Sequence, residues 1–536
     1  MGLAIGLAAL LLAAPSPAQC LLDQVVPGDP SFDDDFGWAV AAEGDTLLVG
    51  APRHAGLAYS AGAAFVYERQ GDDWLQTAKL LGADTAQGDS FGYSVALSGD
   101  TALIGAWNDD GGRGAAYVFE RTGAGWAETA KLTAADGVSG DFFGGALALH
   151  GDRALVGAQY RTGTQTNQGA AYFFERAGGS WDQTAKLVAT APGAFDEFGA
   201  ALDFDGTTAV VGAPRRTGQG FGAGGAYVFV ETPAGWVQET LLTVVGPAQN
   251  HAFGTAIEVE GDRVAIGAPG SDAAAPGAGA VHVRSRFGPL WVEEAKLLAA
   301  DAASYQFLGR SVALEGARLL AGAPGHSHAG PATGAAYVFE NTGGTSWSQG
   351  AQLLAANAGD FDDLGTDVAL SGDLLAVGAP AATFSEFGGG QQGAYLWSAG
   401  SVACPDLVGL PPALHLSTGG QQVLRVQPGP AFAGDLYLTL GSASGTSPGV
   451  SLGGFTLPLN PDPYLAFTLL NPGAPPLAIA LGVLDSAGEG QTHFTLPPGL
   501  PGSLAGLVLH HAALVFELAG GSVVHATGDE PLLVLP

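Results

Sequence analysis

Two glycines held 13 residues apart, seven times over, constrain this chain more than any other feature. Phe-Gly recurs at Phe36-Gly37, Phe91-Gly92, Phe143-Gly144, Phe198-Gly199 and Phe253-Gly254, and continues as Leu308-Gly309 and Leu364-Gly365. The second glycines are Gly50, Gly105, Gly157, Gly212, Gly267, Gly322 and Gly378. Five of them open Gly-Ala-Pro; the second and third copies carry Trp107 and Gln159 in place of the proline. A tryptophan (Trp74, Trp126, Trp181, Trp236, Trp291, Trp347) stands 17 residues before each Phe or Leu from the second copy onward. Fixed spacings carried through an array identify a repeat architecture.

Each unit of about 55 residues reads as four antiparallel strands. The first two meet at a two-residue Gly-Asp hairpin, as at Gly44-Asp45 and Gly99-Asp100. The second strand is an unbroken apolar run, for example Leu47-Leu48-Val49-Gly50-Ala51. A sheet with one wet face alternates; one buried on both faces need not. Seven such units predict an all-β fold, a seven-bladed β-propeller spanning residues 19–403. The chain's only lysines, Lys79, Lys131, Lys186 and Lys296, all fall in the tryptophan strand. As the outer edge of each blade, that strand gains from charge that discourages edge-to-edge association.

The seventh unit ends after its third strand, Gly393-Ala394-Tyr395-Leu396-Trp397. Counting 17 back from Phe36 reaches Gln19, so Cys20–Val26 is expected to fill the missing outer strand. Counting forward from Trp397 by the usual seven reaches Cys404, and the chain's two cysteines meet at one place. A Cys20–Cys404 disulfide is expected to clip the closure in an oxidising compartment, contributing roughly 2–5 kcal/mol. The alternatives are two unpaired thiols, or a lipidated Cys20 behind a poor lipobox.

Met1–Ala18 reads as a signal peptide, with an apolar run too short to span a bilayer and Ser16-Pro17-Ala18 at the cleavage positions, although no positive charge precedes the run. The protein is expected to be secreted or cell-surface, without a membrane span, and monomeric. A net charge of −32 excludes nucleic acid, since no basic surface exists to displace phosphate counterions. After Cys404 the repeat ends, and short alternating segments between Pro- and Gly-rich turns predict a small β-sandwich over 404–536.

The Phe-Gly and Gly-Ala-Pro pattern resembles the FG-GAP repeats of the integrin α-subunit N-terminal propeller and of bacterial secreted proteins. The resemblance covers about residues 20–403 and implies a seven-bladed propeller with extracellular adhesion or ligand binding. Integrin-type blades often carry an Asp-x-Asp-x-Asp-Gly calcium loop between the first two strands. Here that connection is a two-residue turn, and even Asp203-Phe204-Asp205-Gly206 offers too few oxygens for calcium. No cofactor is carried over, and calcium would have to be held elsewhere.

The second-to-third and fourth-to-first loops share one face, the upper face, and are the longest, which is where binding concentrates. There Asp34, Asp89, Asp141, Asp196 and Asp362 stand two residues before each Phe or Leu, with His251 and Gln306 in the other two places. They read either as a ligand-facing ring of carboxylates or as Asx-type turns closing on their own backbone. Asp33, Asp35, Asp360 and Asp363 thicken the series into the two cation candidates. Trp107 is the ligand-facing aromatic candidate, because it replaces a loop proline. His326 and His328 lack an evident third metal ligand, and His510 and His511, adjacent in a strand, point to opposite faces. No catalytic constellation stands out. The expectation is a non-enzymatic binding or adhesion protein that takes an extracellular protein or glycan on the upper face. A polysaccharide-active enzyme using the same face, or a structural envelope component, are the alternatives.

Overall fold

The computed structural model describes residues 20–398 apart from 30–33, 72, 124, 247, 289, 329, 356–357 and 381–391; beyond 398 it describes only the backbone of strands between 407 and 535. Seven four-stranded antiparallel sheets follow the repeat. Blade two is representative, with Phe91–Ser98, Thr101–Ala106, Ala115–Thr122 and Gly125–Leu132 in spatial as well as chain order. The first strand is innermost and the tryptophan strand outermost. Second and third strands are largely buried between neighbouring blades, as in the last five residues of Thr101–Ala106 and the first five of Ala115–Thr122. Each blade therefore has two apolar faces, and the alternation of a half-wet sheet is missing for that reason.

Blade seven consists of Val368–Ser371, Leu374–Ala379, Gly393–Ser398 and, as its outer strand, Cys20–Val25. The N-terminal strand pairs antiparallel with the third strand, Gln24 opposite Tyr395 and Val25 opposite Ala394. This is the closure expected from counting. Val25, Phe36, Phe65, Ala376 and Leu396 then join one core between blades seven and one. Cys404 and the segment 1–18 lie outside the described residues, so the disulfide and the signal peptide do as well.

The spacing of 13 has a steric origin. Gly50, in the second strand of blade one, faces the carbonyl of Gly92, the Phe-Gly glycine of blade two, so closely that any Cβ would enter the oxygen's van der Waals shell. The same contact recurs at all seven joints, ending with Gly378 of blade seven against Gly37 of blade one. Within a blade the same two glycines are bonded, the Gly37 N–H donating to the Gly50 carbonyl at 3.1 Å. The spacing of 17 places the tryptophans on the preceding blade: Trp236 stacks on Phe173 at 4.3 Å, and Trp291 and Trp347 donate to Glu239 and Glu294.

Beyond residue 398 the strands form a four-stranded sheet led by Leu407–Leu410 and Gly420–Val426, and a larger one centred on Leu436–Ser442 and Val508–Phe516. The face-to-face packing expected of a sandwich lies outside the described residues.

Gly50→Ala is expected to cost about 3 kcal/mol, because neither backbone can yield in a ring of packed blades. Gly44→Ala, at a hairpin with φ +56 and nothing within 4 Å of a Cβ, is expected to cost only about 1 kcal/mol. Urea unfolding of the two variants checks the difference.

Candidate functional site

The lower face is closed by short hairpins, and the upper face carries the long loops. Those loops are tied to one another across joints: the Gly88 N–H, entering blade two, donates to the Tyr59 carbonyl of blade one, and Phe195, Tyr305 and Phe361 donate in the same way to Thr166, Pro276 and Pro331. The platform is thus held by main chain, leaving side chains free to vary.

The aspartate series is not presented to solvent. Asp34, Asp89, Asp141, Asp196 and Asp362 are buried. The carboxylates of Asp89, Asp141, Asp196 and Asp362 accept the N–H three residues back, from Ala86, Val138, Gly193 and Gly359, at 2.6–2.9 Å. Gln306 accepts the Ala303 N–H in the same place. These are the local turns of the second reading. Asp35 pairs with Arg53 at 3.2 Å, Asp33 lies outside the described residues, and burial raises Asp363 to about 6. Burial, with Asp363 and Asp360 adding to it, raises Asp362 to about 7. Among the described residues no three His, Cys, Asp or Glu converge as metal ligands, and no helix is long and apolar enough to cross a membrane. His326 bonds to Gln306 at 2.8 Å and His328 to Thr333 at 2.7 Å.

The lysines do more than mark an edge. Lys79 pairs with Asp29 at 2.7 Å, Lys131 with Asp84 at 2.8 Å and Asp109 at 2.9 Å, and Lys186 with Asp136 at 2.6 Å. Each partner Asp29, Asp84 or Asp136 sits in the loop entering its blade, so the lysine staples that loop down.

Two groups were missed by sequence reasoning. The first occupies the position three before each Phe or Leu. Blades two and three have Gly88 and Gly140 there, with φ +86 and +88. Blades four, six and seven place Phe195, Tyr305 and Phe361 at the same left-handed backbone, with φ +62, +65 and +64. These residues are 55%, 64% and 46% exposed. A bulky residue in this region is strained, and the surrounding loop bonds hold it there. The signal was legible in principle as aromatics in a column that holds glycine in blades two and three and Asp33 and Asn250 in blades one and five.

The second group lies in the central channel, a cavity of about 690 Å³ lined by the innermost strands of all seven blades. Its upper mouth is apolar along blades one to three, where Trp38, Tyr93, Trp107, Phe142 and Tyr160 form a continuous aromatic run. Trp107 lies between Tyr93, stacked at 4.4 Å, and Phe142, tilted at 4.8 Å, so its faces are already covered. Deeper in, five blades contribute alanine (Ala41, Ala96, Ala148, Ala313, Ala369), whereas blades four and five contribute Asp203 and Glu258. Asp203 accepts the Val259 N–H at 2.7 Å, a bond across the blade joint. Asp367 of blade seven does the same for the Val40 N–H of blade one, at 2.9 Å. Burial pushes Asp203 up to about 7 and Asp367 to about 6, and raises Glu258 well above the carboxylate range, with the charges of Asp203, Asp367 and Glu260 adding to it. Two acids in an alanine column were the available signal.

A family model described as FG-GAP repeat matches residues 23–67, 74–119, 126–174, 181–229, 236–284, 291–339 and 347–396. Among curated proteins, none matches the chain.

An acid whose folded pKa is raised holds a proton that the unfolded chain has released, so stability falls as pH rises from about 4 through the values of about 6 and about 7 of Asp367 and Asp203, and Glu258, raised well above the carboxylate range, adds to the fall. Glu258→Gln is expected to raise the thermal midpoint by about 2–4 °C at pH 8 and leave it unchanged at pH 4. Scanning calorimetry at the two pH values checks this.

Proposed function

From its membership of the FG-GAP repeat family, carried by seven matched repeats, we propose that this chain is an extracellular, non-enzymatic binding protein that contacts a protein or glycan ligand through the upper loop face. The observation that carries this reading is the set Phe195, Tyr305 and Phe361: large, exposed aromatics kept at a backbone conformation that glycine would adopt without strain. Such strain opposes folding, and a surface contact is the gain that offsets it. Phe307, also left-handed at φ +60, lies 6.2 Å from Tyr305 and widens the patch on blade six. Aromatic side chains of this kind supply rigid contact area at low entropic cost in both protein and glycan recognition. The C-terminal segment, outside the matched repeats, is assigned to attachment or capping.

One observation favours the second reading, a polysaccharide-cleaving enzyme: Asp203 and Glu258 stand in one cavity with raised proton affinity, and glycoside cleavage needs two carboxylates. Release of reducing ends from a polysaccharide panel by the wild type, abolished in Glu258→Gln, would establish that reading in place of the first.

The triple variant Phe195→Gly, Tyr305→Gly, Phe361→Gly is expected to keep or raise the thermal midpoint, since each change relieves about 1 kcal/mol of left-handed strain. Its binding on glycan and extracellular-protein arrays is expected to fall at least tenfold. Wild-type binding by this variant would remove the patch from the function.

A further inference from the structure

Comparison of one blade with the next exposes a place where the repeat is incomplete. In blades one, two, three and six, the loop entering the blade delivers an aspartate: Asp29, Asp84, Asp136 and Asp301. Its carboxylate is received by the outer strand (Lys79, Lys131, Lys186, Gln352) and, in blades two, three and six, by a third-strand tyrosine (Tyr117, Tyr172, Tyr337). Blade four loses aspartate and lysine together, as Ala191 and Leu241. Blade five does not. Gly246 replaces the loop aspartate and His251 replaces the second aspartate nearby, yet Lys296 remains.

Among the described residues Lys296 is the one lysine with no ion pair; it is exposed, opposite His282 in the strand register. His282 takes the tyrosine's position and packs on Phe253 at 5.3 Å, as Tyr117 packs on Phe91 at 5.3 Å. Its Nδ1 bonds to Glu293 at 3.2 Å, and its distal Nε2 has no partner, although the residue is only 3% exposed. Ser271, fully buried, occupies the position of Asp109 in blade two, and its hydroxyl is also unpartnered. Buried polar atoms in a native fold are ordinarily paired; here two exceptions occupy the places that Tyr117 and Asp109 bond across at 2.7 Å in blade two, with an unpaired ammonium opposite the first, and they mark a place built to be filled.

We propose that blade five binds a carboxylate group of a ligand, held by Lys296, His282 and Ser271 where its sister blades seat an aspartate of their own. The site stands apart from the aromatic patch and does not depend on it. Lys296 is the exposed member and marks the entrance, with His282 and Ser271 buried behind it; the aspartates in the equivalent places keep between 43% and 60% of their side-chain surface exposed. In a protein of net charge −32, this cluster of donors is a local exception. The groups facing His282 are Glu293, itself paired with Arg284 at 2.8 Å, Lys296 and Arg284; those facing His251 are Asp272, Lys296 and His282. Asp272 is engaged by its own loop, accepting the Gly277 N–H at 2.8 Å. Burial lowers the proton affinity of both histidines. A carboxylate arriving at Nε2 makes the imidazolium the favoured form, so binding takes up a proton and weakens about tenfold per pH unit above the histidine range.

The test uses the full chain labelled with ¹⁵N-histidine, titrated with sodium acetate, sodium glucuronate and, as neutral control, glucose at pH 5.5 and 7.5. His282 Nε2 is expected to shift with both acids, more tightly at pH 5.5, and not with glucose. A preference for glucuronate over acetate identifies an acidic sugar as the source; equal response identifies the bare carboxylate. Lys296→Gln, which installs the residue blade six uses, is expected to lose at least tenfold in acetate affinity. Gly246→Asp, which restores the loop aspartate that blades one, two, three and six use, is expected to abolish the response. No shift with either acid, the same shift with glucose, or an unchanged response in Lys296→Gln while the fold is intact overturns the proposal.

Discussion

Neighbouring blades touch backbone to backbone, glycine against carbonyl, at seven equivalent joints. Every other regularity follows from that approach. Inner strands that meet without side chains set a narrow radius, and the outer part of each blade must then fill a widening gap. Aromatic side chains help to do so, as Phe91 packed edge-on against Tyr117 and Phe119 shows in blade two. The joints are also stitched by polar groups: the Gly99 N–H donates to Glu43, Gly372 to Glu315, and Gly44 to Ser371 across the closure. Arg121–Glu68 ties the joint of blades one and two a second time, and Arg176–Glu120 the joint of blades two and three. Such half-exposed pairs contribute modestly one by one.

Because the backbone scaffold is the same in every blade, each column of equivalent residues is an internal comparison. Where a column is uniform, the position serves packing or a turn; where it breaks, the fold alone does not account for the substitution. By this criterion the upper-face aspartates are scaffold, whereas the left-handed aromatics, the channel acids and the unpaired Lys296 are departures. The lysine column illustrates the difference in one residue type: three members bind their own loops, and the fourth has nothing to bind within the described chain.

Blade number, strand order and closure were legible because glycine and tryptophan spacings record backbone contact directly, with no side-chain geometry to infer. The aspartates were legible only as two alternatives. An Asx turn and a ligand ring differ in which way a carboxylate points, and the hydrogen bonds from Ala86, Val138, Gly193 and Gly359 decide it. Trp107 was singled out correctly as a break in the proline column, but its faces are taken by Tyr93 and Phe142, contacts between residues of two different blades. Phe195, Tyr305 and Phe361 escaped notice because an exposed loop aromatic is unremarkable until its φ angle is known. Asp203 was read with its neighbours Phe204 and Asp205 as a short acidic turn. In the structure Asp205 caps that turn through Thr207 and Thr208, and Asp203 belongs to the channel wall instead.

The strand that completes blade seven is made first and used last. A ribosome delivers Cys20–Val25 well before Gly393–Ser398 exists to receive it, so during synthesis six blades assemble with that segment waiting and the ring still an open arc. Until the final strands appear, the blade faces on either side of the gap expose apolar surface that the closed ring buries. Once shut, Cys20 lies opposite Ser398, and a pull on whatever follows residue 398 loads Gly393–Ser398 in shear against both of its partners, Cys20–Val25 and Leu374–Ala379, before it reaches the remainder of the ring.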